Sequence, residues 1–147
     1  MVQIDGNLDE ALNIFVKQLN GYDMSDADRL DVAMEGAQVF EDKLREETKS
    51  KHYSTHHDEK YGHAADHIGM VKDREAGAGD LKIGAFIVGW DNPHHGINML
   101  RVNDGWSQYT GDHFIDNLRN SSDVRKQILL TEKAKFDSIL KNKGDEK

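Results

Sequence analysis

Histidine is concentrated in one part of this 147-residue chain, between positions 52 and 67. Five of the eight histidines fall there, and Asp66 lies next to one of them. Because zinc sites combine histidines with a carboxylate, this is the best candidate pattern for metal binding in the chain. His63 and His67 are four residues apart, a spacing that would place them on one helical face. The stretch lacks a His-Glu-x-x-His arrangement with its built-in base, so we favour solvated or hydrogen-bonded histidines and expect no metal.

A second group of residues could in principle support nucleophilic catalysis. His94, His95 and His113 could form a triad-like site with Asp112 or Asp116, because a carboxylate can orient an imidazole. The chain has no Gly-x-Ser-x-Gly turn and no cysteine, so the nucleophile is missing. Four glycines lie in turn and strand contexts and match no nucleotide-binding motif: Gly77, Gly79, Gly84 and Gly89. We therefore expect no catalytic residue and no cofactor.

The composition predicts one soluble domain spanning residues 1–147. Hydrophobic residues make up 37% and charged residues 31%, which is close to an ordinary globular protein. The net charge of -8 argues against tight nucleic-acid binding, which relies on Lys and Arg to displace counterions. The absence of cysteine fits assembly in a reducing cytoplasm. Residues 1–7 lack an export signal, and no apolar run approaches the roughly 20 residues of a membrane span.

The N-terminal part of the chain is predicted to form two helices. Apolar residues at helical spacing indicate a first helix over residues 8–20. Ser25, followed three residues later by Asp28, is a capping box that begins a second helix reaching about residue 48. Its predicted core face is apolar and is made of Leu30, Ala33, Met34, Ala37, Phe40 and Leu44.

An acidic stripe is predicted on the opposite face of this second helix. Residues 7–50 contain 11 Asp and Glu against 5 Lys and Arg, whereas residues 51–147 contain 15 against 14. Lys43 is too far out of position to neutralise the stripe. The stripe consists of Asp28, Asp31, Glu35, Asp42 and Glu46. Val32, Gly36 and Val39 lie on the flank between the two faces, where an adjacent subunit could pack.

The rest of the chain is predicted to add a small antiparallel sheet and more helices. Residues 50–62 are polar and aperiodic, which predicts a mobile surface loop. Residues 68–74 and 81–90 are predicted to form a hairpin, and residues 106–110 a third strand. Asn92-Pro93 is predicted to begin a short helix that ends near Asn103, and Asp112 is predicted to cap a further helix. Ser122 or a neighbour begins a C-terminal helix, which is followed by a frayed tail at residues 141–147. The expected fold class is therefore α+β, with N-terminal helices, at least three strands, a short connecting helix and a C-terminal helix.

Three local sequences resemble the neck and tail-completion (head–tail joining) proteins of siphophages and prophages of Gram-positive bacteria. The resemblance covers nearly the whole chain. The first is the helix segment Ala33, Glu35, Gly36, Ala37 and Phe40, and the second is a strand entry formed by His63, Asp66 and Ile68. The third, which is the most specific, pairs the turn Asn103, Asp104 and Gly105 with the helix start His113 and Phe114. Trp106 occupies the position where the family has threonine.

This resemblance implies a structural virion protein and no enzyme. Such a subunit would form a homo-oligomeric ring in the phage neck after assembly in the host cytoplasm. Its partners would be a head-closure or connector protein and a tail terminator or tail tube protein, with DNA only passing through the channel. The acidic stripe would suit a channel lining, and Trp106 and Tyr109 would suit a subunit interface. Two alternatives remain, an acidic protein-binding regulatory module and a His-dependent metalloenzyme.

Overall fold

The computed structural model describes residues 8–10, 12–14, 24–53, 59–74 and 84–144. Residues 8–10 and 12–14 are helical, as predicted, and the remainder of the predicted first helix lies outside the described residues. The later elements alternate helices with short strands, which confirms the α+β class. They are α1 (Asp26–His52), β1 (Ile68–Lys72), β2 (Phe86–Trp90), α2 (Pro93–Asp104), β3 (Gly105–Trp106), β4 (Tyr109–Thr110), α3 (Phe114–Asn120) and α4 (Ser122–Gly144), with a 3₁₀ helix at Ala64–His67.

The capping box of α1 forms as predicted. The Asp28 amide donates to Ser25 Oγ at 3.1 Å, and the Ser25 amide donates to Asp28 Oδ2 at 3.3 Å. The helix runs to His52, so residues 50–52 are helical and the predicted loop at 50–62 is shorter. Basic residues in the last turn favour this extension because they complement the partial negative charge of a helix C-terminus.

Two helices of the chain, α1 and α4, pack along each other and enclose one apolar cluster. The buried members are Met24, Val32, Leu129 and Phe136, and Phe136 is fully buried. Gly36 allows the close approach, because a Cβ at this position would overlap the Glu132 side chain of α4. The predicted core face of α1 is thus rotated: Leu44 is buried, but Met34 is 44% exposed.

A second apolar cluster joins the C-terminal half of α1 to the sheet and the short helices. It contains Leu44 of α1, Ile68 of β1, Met99 of α2, Phe114 of α3 and Val124 of α4. The sequence predicts Ile97, Leu100 and Met99 as the apolar face of α2, which is partly wrong, since Met99 is buried whereas Ile97 and Leu100 are each 53% exposed. The polar residues His95 and Asn103 occupy the buried side of α2 instead.

The predicted hairpin forms, but the predicted sheet of at least three strands does not. β1 and β2 pair antiparallel from Ile68 opposite Trp90 to Lys72 opposite Phe86. The predicted turn at 77–80 lies outside the described residues. The predicted third strand is instead a separate hairpin, β3 with β4, in which Trp106 pairs with Tyr109. Gly105 has a φ of 85°, and this left-handed turn at the end of α2 leads the chain directly into the second hairpin.

The helix starts in the C-terminal part agree with the sequence. The Phe114 amide donates to Asp112 Oδ1 at 3.1 Å, and the Val124 amide donates to Ser121 Oγ at 3.3 Å. α4 continues through residue 144, so residues 141–144 of the predicted frayed tail are helical. Lys143 of this last turn pairs with Asp28 at the start of α1, which ties the end of the helix down. None of the described helices combines the length and the apolar composition needed to cross a bilayer.

Candidate functional site

The two halves of the most specific motif form one hydrogen-bonded unit around Asn103. This side chain is buried at the end of α2, and its Oδ1 accepts from the Ile115 amide at 2.9 Å and the Asp116 amide at 3.3 Å. Its Nδ2 donates to Asp104 Oδ1 at 2.7 Å and to Asp116 Oδ2 at 2.9 Å. Asn103 therefore satisfies the first amides of α3, which have no partner inside that helix.

Backbone contacts fix the same unit from the other side. The His113 amide donates to the Asn103 carbonyl at 3.0 Å, and the Asp112 amide donates to the Val102 carbonyl at 3.2 Å. Gly111 lies so close to the end of α2 that a Cβ at this position would overlap the Asn103 carbonyl oxygen. His113 itself has a φ of 55°, which is uncommon for a residue with a side chain and turns the chain into α3.

Phe114 fills the centre of the second apolar cluster and has no exposed surface. The His52 ring lies against it, with 4.6 Å between ring centroids. His52 Nε2 is also 2.8 Å from Asp112 Oδ2, an ion-pair distance if the imidazole is protonated. The end of α1 is thereby attached to the turn that precedes α3. The sequence did not predict this contact, because 60 positions separate the two residues.

The second motif surrounds the start of β1. His63 is the residue before the 3₁₀ helix, Asp66 is exposed, and Ile68 is buried as the first residue of β1. Trp90 Nε1 donates to the Ala64 carbonyl at 3.0 Å, which holds this entry against β2. Since 64–67 is a short 3₁₀ segment, His63 and His67 do not share the face of a regular α-helix as the metal hypothesis assumed.

The histidines nearby contact aromatic rings and polar groups of the chain. His67 Nδ1 is 3.1 Å from Asp91 Oδ1, and the buried His95 places Nε2 2.7 Å from the Tyr61 carbonyl. His67 and His95 stack at 4.9 Å, and His63 stacks on Tyr53 at 4.2 Å. Within the residues that the structure describes, no group of three or more His, Asp or Glu side chains is placed to hold a metal ion.

Three acids of the stripe, Asp31, Asp42 and Glu46, are exposed, whereas Asp28 and Glu35 are partly covered. Much of the stripe is also neutralised. Asp28 pairs with Lys143, and this contact, with the hydrogen bonds to Ser25, lowers the pKa of the Asp28 carboxyl. Arg45 Nη1 lies 3.3 Å from Asp42, and Lys43 lies 3.3 Å from Glu46. The prediction that Lys43 is misplaced was therefore wrong. Of the five acids, Asp31 and Glu35 have no cationic partner in the described part of the chain.

Two residues of the predicted subunit interface are buried inside the chain itself. Val32 packs in the cluster between α1 and α4, and Gly36 lies under Glu132. A neighbouring subunit cannot reach either residue while this packing is in place, so both are corrected to intrachain packing positions. Val39 remains partly accessible.

The Glu132 carboxyl against Gly36 makes the stability of the protein depend on pH. Burial raises the pKa of the Glu132 carboxyl from 4.5 to about 7, so folding disfavours its ionised form. The folded state thus binds more protons than the unfolded state, and stability falls as pH rises from about 4.5 to above 7.

We expect Glu132→Gln to remove this loss. The variant should be more stable than the parent chain by roughly 1–2 kcal/mol at pH 8, less than the full linkage value because the carboxyl keeps some contact with water. Urea unfolding at pH 4 and at pH 8 measures the effect, and the pH 4 pair serves as the control because the carboxyl is neutral in both states there. An equal difference at both pH values would contradict this account of Glu132.

The remaining predicted interface residues lie on an exposed apolar surface. Trp106 and Tyr109 stack at 4.7 Å on the second hairpin and are 52% and 38% exposed. Beside them is a surface groove, here called the aromatic groove, lined by Asn98, Arg101, Val102 and Trp106. Ile97 and Leu100, also on α2, are exposed as well. Exposed aromatic and aliphatic side chains grouped in this way are typical of protein-binding surfaces.

Several structural residues were missed because their burial depends on elements that are distant in sequence. Glu41 is buried and pairs with Arg45, whose Nη2 also donates to the Ile68 carbonyl at 3.0 Å. Lys133 is buried and lies 2.6 Å from Asp137. The i,i+4 spacing of each pair was visible in the sequence, but their burial was not.

These contacts describe an exposed apolar surface at Trp106 and Tyr109 and a buried polar hub around Asn103. Comparison with protein-family models, with curated proteins and with solved structures finds no significant match to this chain.

Proposed function

We propose that the chain is a structural subunit of a phage neck, which joins the head to the tail. The observation that carries the proposal is the unit around Asn103. The turn Asn103, Asp104 and Gly105 and the helix start His113 and Phe114, which are the most specific part of the resemblance, contact each other directly. A motif whose separated halves meet in the fold supports the resemblance better than either half alone.

The surface supports a role in assembly. Trp106 and Tyr109 present apolar area that the chain itself leaves uncovered. Asp42 and Glu46 of α1 are exposed, although Arg45 and Lys43 lie beside them. This face, on a chain with a net charge of -8, suits the wall of a passage that DNA must leave without sticking. In this proposal the copies form a ring between a head-closure or connector protein and a tail terminator or tail tube protein, and the subunit performs no catalysis.

Deleting the gene from the phage or prophage that encodes the chain tests this function. We expect DNA-filled heads and separate tails, because the two parts mature independently and only their joint is missing. Electron microscopy of lysates counts joined particles, and supplying the gene on a plasmid is the control. Deletion particles that are joined normally, or complete virions that lack the chain in their necks, would rule the neck function out.

A further inference from the structure

Among the described residues that line the aromatic groove, Arg101 is the one that carries a charge. Arg101 is exposed, and no carboxylate pairs with it among the residues that the structure describes. Trp106 and Val102 supply the apolar walls, and Asn98 is the remaining polar residue. An occupant of this groove should therefore combine an apolar side chain with a carboxylate close beside it.

The exposed side of α1 offers this combination. Met34 is 44% exposed, although it was predicted to be a core residue. Asp31 precedes it by one helical turn and Glu35 follows it, so the three side chains form one small surface, here called the Met34 face. Methionine is well suited to an aromatic contact because its flexible thioether adapts to a ring.

The charges of the Met34 face are also unsatisfied. Asp31 and Glu35 are four residues apart on one helix, a spacing at which like charges repel. The other three acids of the stripe have Lys143, Arg45 and Lys43 beside them. A cation placed between Asp31 and Glu35 would relieve their repulsion, and the chain exposes such a cation at Arg101.

We propose that the Met34 face of one copy docks in the aromatic groove of a second copy. Met34 contacts Trp106 and Val102 of the second copy, and Arg101 of that copy pairs with Asp31 and Glu35. The two surfaces are different, so the contact is head-to-tail, and a pair of copies retains one free groove and one free Met34 face. Repetition of such a contact gives a closed ring or an open filament.

This inference goes beyond the proposed function and does not depend on it. It replaces Val32 and Gly36, which are buried, by Asp31, Met34 and Glu35 as the α1 side of the subunit interface. In a ring built this way, Asp31 and Glu35 lie at the boundary between subunits. Asp42 and Glu46 remain on open surface, where they are available to a channel.

Charge reversal tests the contact in the purified full-length chain. Sedimentation velocity from roughly 1 µM to 1 mM protein measures self-association. We expect Arg101→Glu alone and Glu35→Arg alone to weaken association about 10-fold or more, because each places like charges together. Mixing the two variants, or combining both changes in one chain, should restore it. Arg119→Glu, an exposed arginine on α3, is the matched control and should change nothing.

Cysteine cross-linking locates the contact directly, because the chain has no native cysteine. Met34→Cys combined with Asn98→Cys should form a ladder of disulfide-linked multimers on mild oxidation, whereas a head-to-tail contact predicts no ladder for either single variant. A chain that stays monomeric at every concentration and does not cross-link would overturn the proposal, as would association that Arg101→Glu leaves unchanged. Association without the neck phenotype described above would leave this contact standing and reject only the phage function.

Discussion

Asn103→Ala should destabilise the fold by about 2–4 kcal/mol, because two amides at the start of α3 lose their acceptor inside the protein. The Asn103 side chain is buried, and its Oδ1 accepts from the Ile115 and Asp116 amides. An alanine offers no replacement, and water has little access to this position. Thermal unfolding should show a melting temperature lower by roughly 5–15 °C for a chain of this length.

Two further variants make this result specific. Asn117→Ala removes the same kind of side chain from an exposed position on α3, where one bond of 3.3 Å joins it to the Asp112 carbonyl. It should cost less than about 1 kcal/mol. Asn103→Asp keeps the acceptor but loses the donor to Asp104 and Asp116 and adds a third carboxylate beside them, so it should also destabilise at pH 7. If Asn103→Ala behaved like Asn117→Ala, the side chain would not be the hub described here.

Phe114→Ala should have the largest effect of any variant considered, about 3–5 kcal/mol. Phe114 has no exposed surface and packs at the centre of the cluster that joins α1, β1, α2, α3 and α4. Removing the ring opens a cavity between elements that cannot all move together to close it. The His52 ring, 4.6 Å away, also loses its partner.

Phe114→Leu is the matched control, since it keeps an apolar side chain of similar reach. We expect a cost of about 1–2 kcal/mol for leucine, and denaturant unfolding followed by circular dichroism separates the two variants. Equal costs for alanine and leucine would mean that the volume of the ring is not used in packing. If neither variant lowered the free energy of unfolding, Phe114 would not be a core residue.

The expected effects of Asn103→Ala and Phe114→Ala also distinguish residues that stabilise the fold from residues on the surface. Asn103, Phe114 and Ile68 are buried and bonded or packed within the chain, so their changes act on folding. Trp106 and Arg101 are exposed, so we expect their changes to leave the melting temperature nearly unchanged and, if the proposed contact forms, to weaken association. Stability and assembly can therefore be examined separately in this protein.

The local features of the fold were predictable from the sequence alone. Capping of α1 by Ser25 and the helix start at Asn92-Pro93 depend on residues within three positions of each other, and both were confirmed. Asp112 accepts from the first amide of α3 as expected, but the N-cap residue is His113. The hairpin of β1 and β2 follows from two segments of β-prone residues, the second rich in Ile, Phe and Val. The acidic side of α1 also follows from spacing, because the helix period places those residues on one face.

The tertiary structure decided which residues are covered and which charges are paired. Met34 and Ile97 fit an apolar helical pattern, but no other element of the described chain covers them, so they lie on the surface. Gly36 is a packing position because Glu132 of α4 lies over it, across 96 positions of sequence. The number of strands in a sheet also depends on whether separate hairpins pair with each other, and the hairpins β1–β2 and β3–β4 form two separate sheets. Local spacing determines the faces of an element, whereas burial depends on contacts between elements that are far apart along the chain.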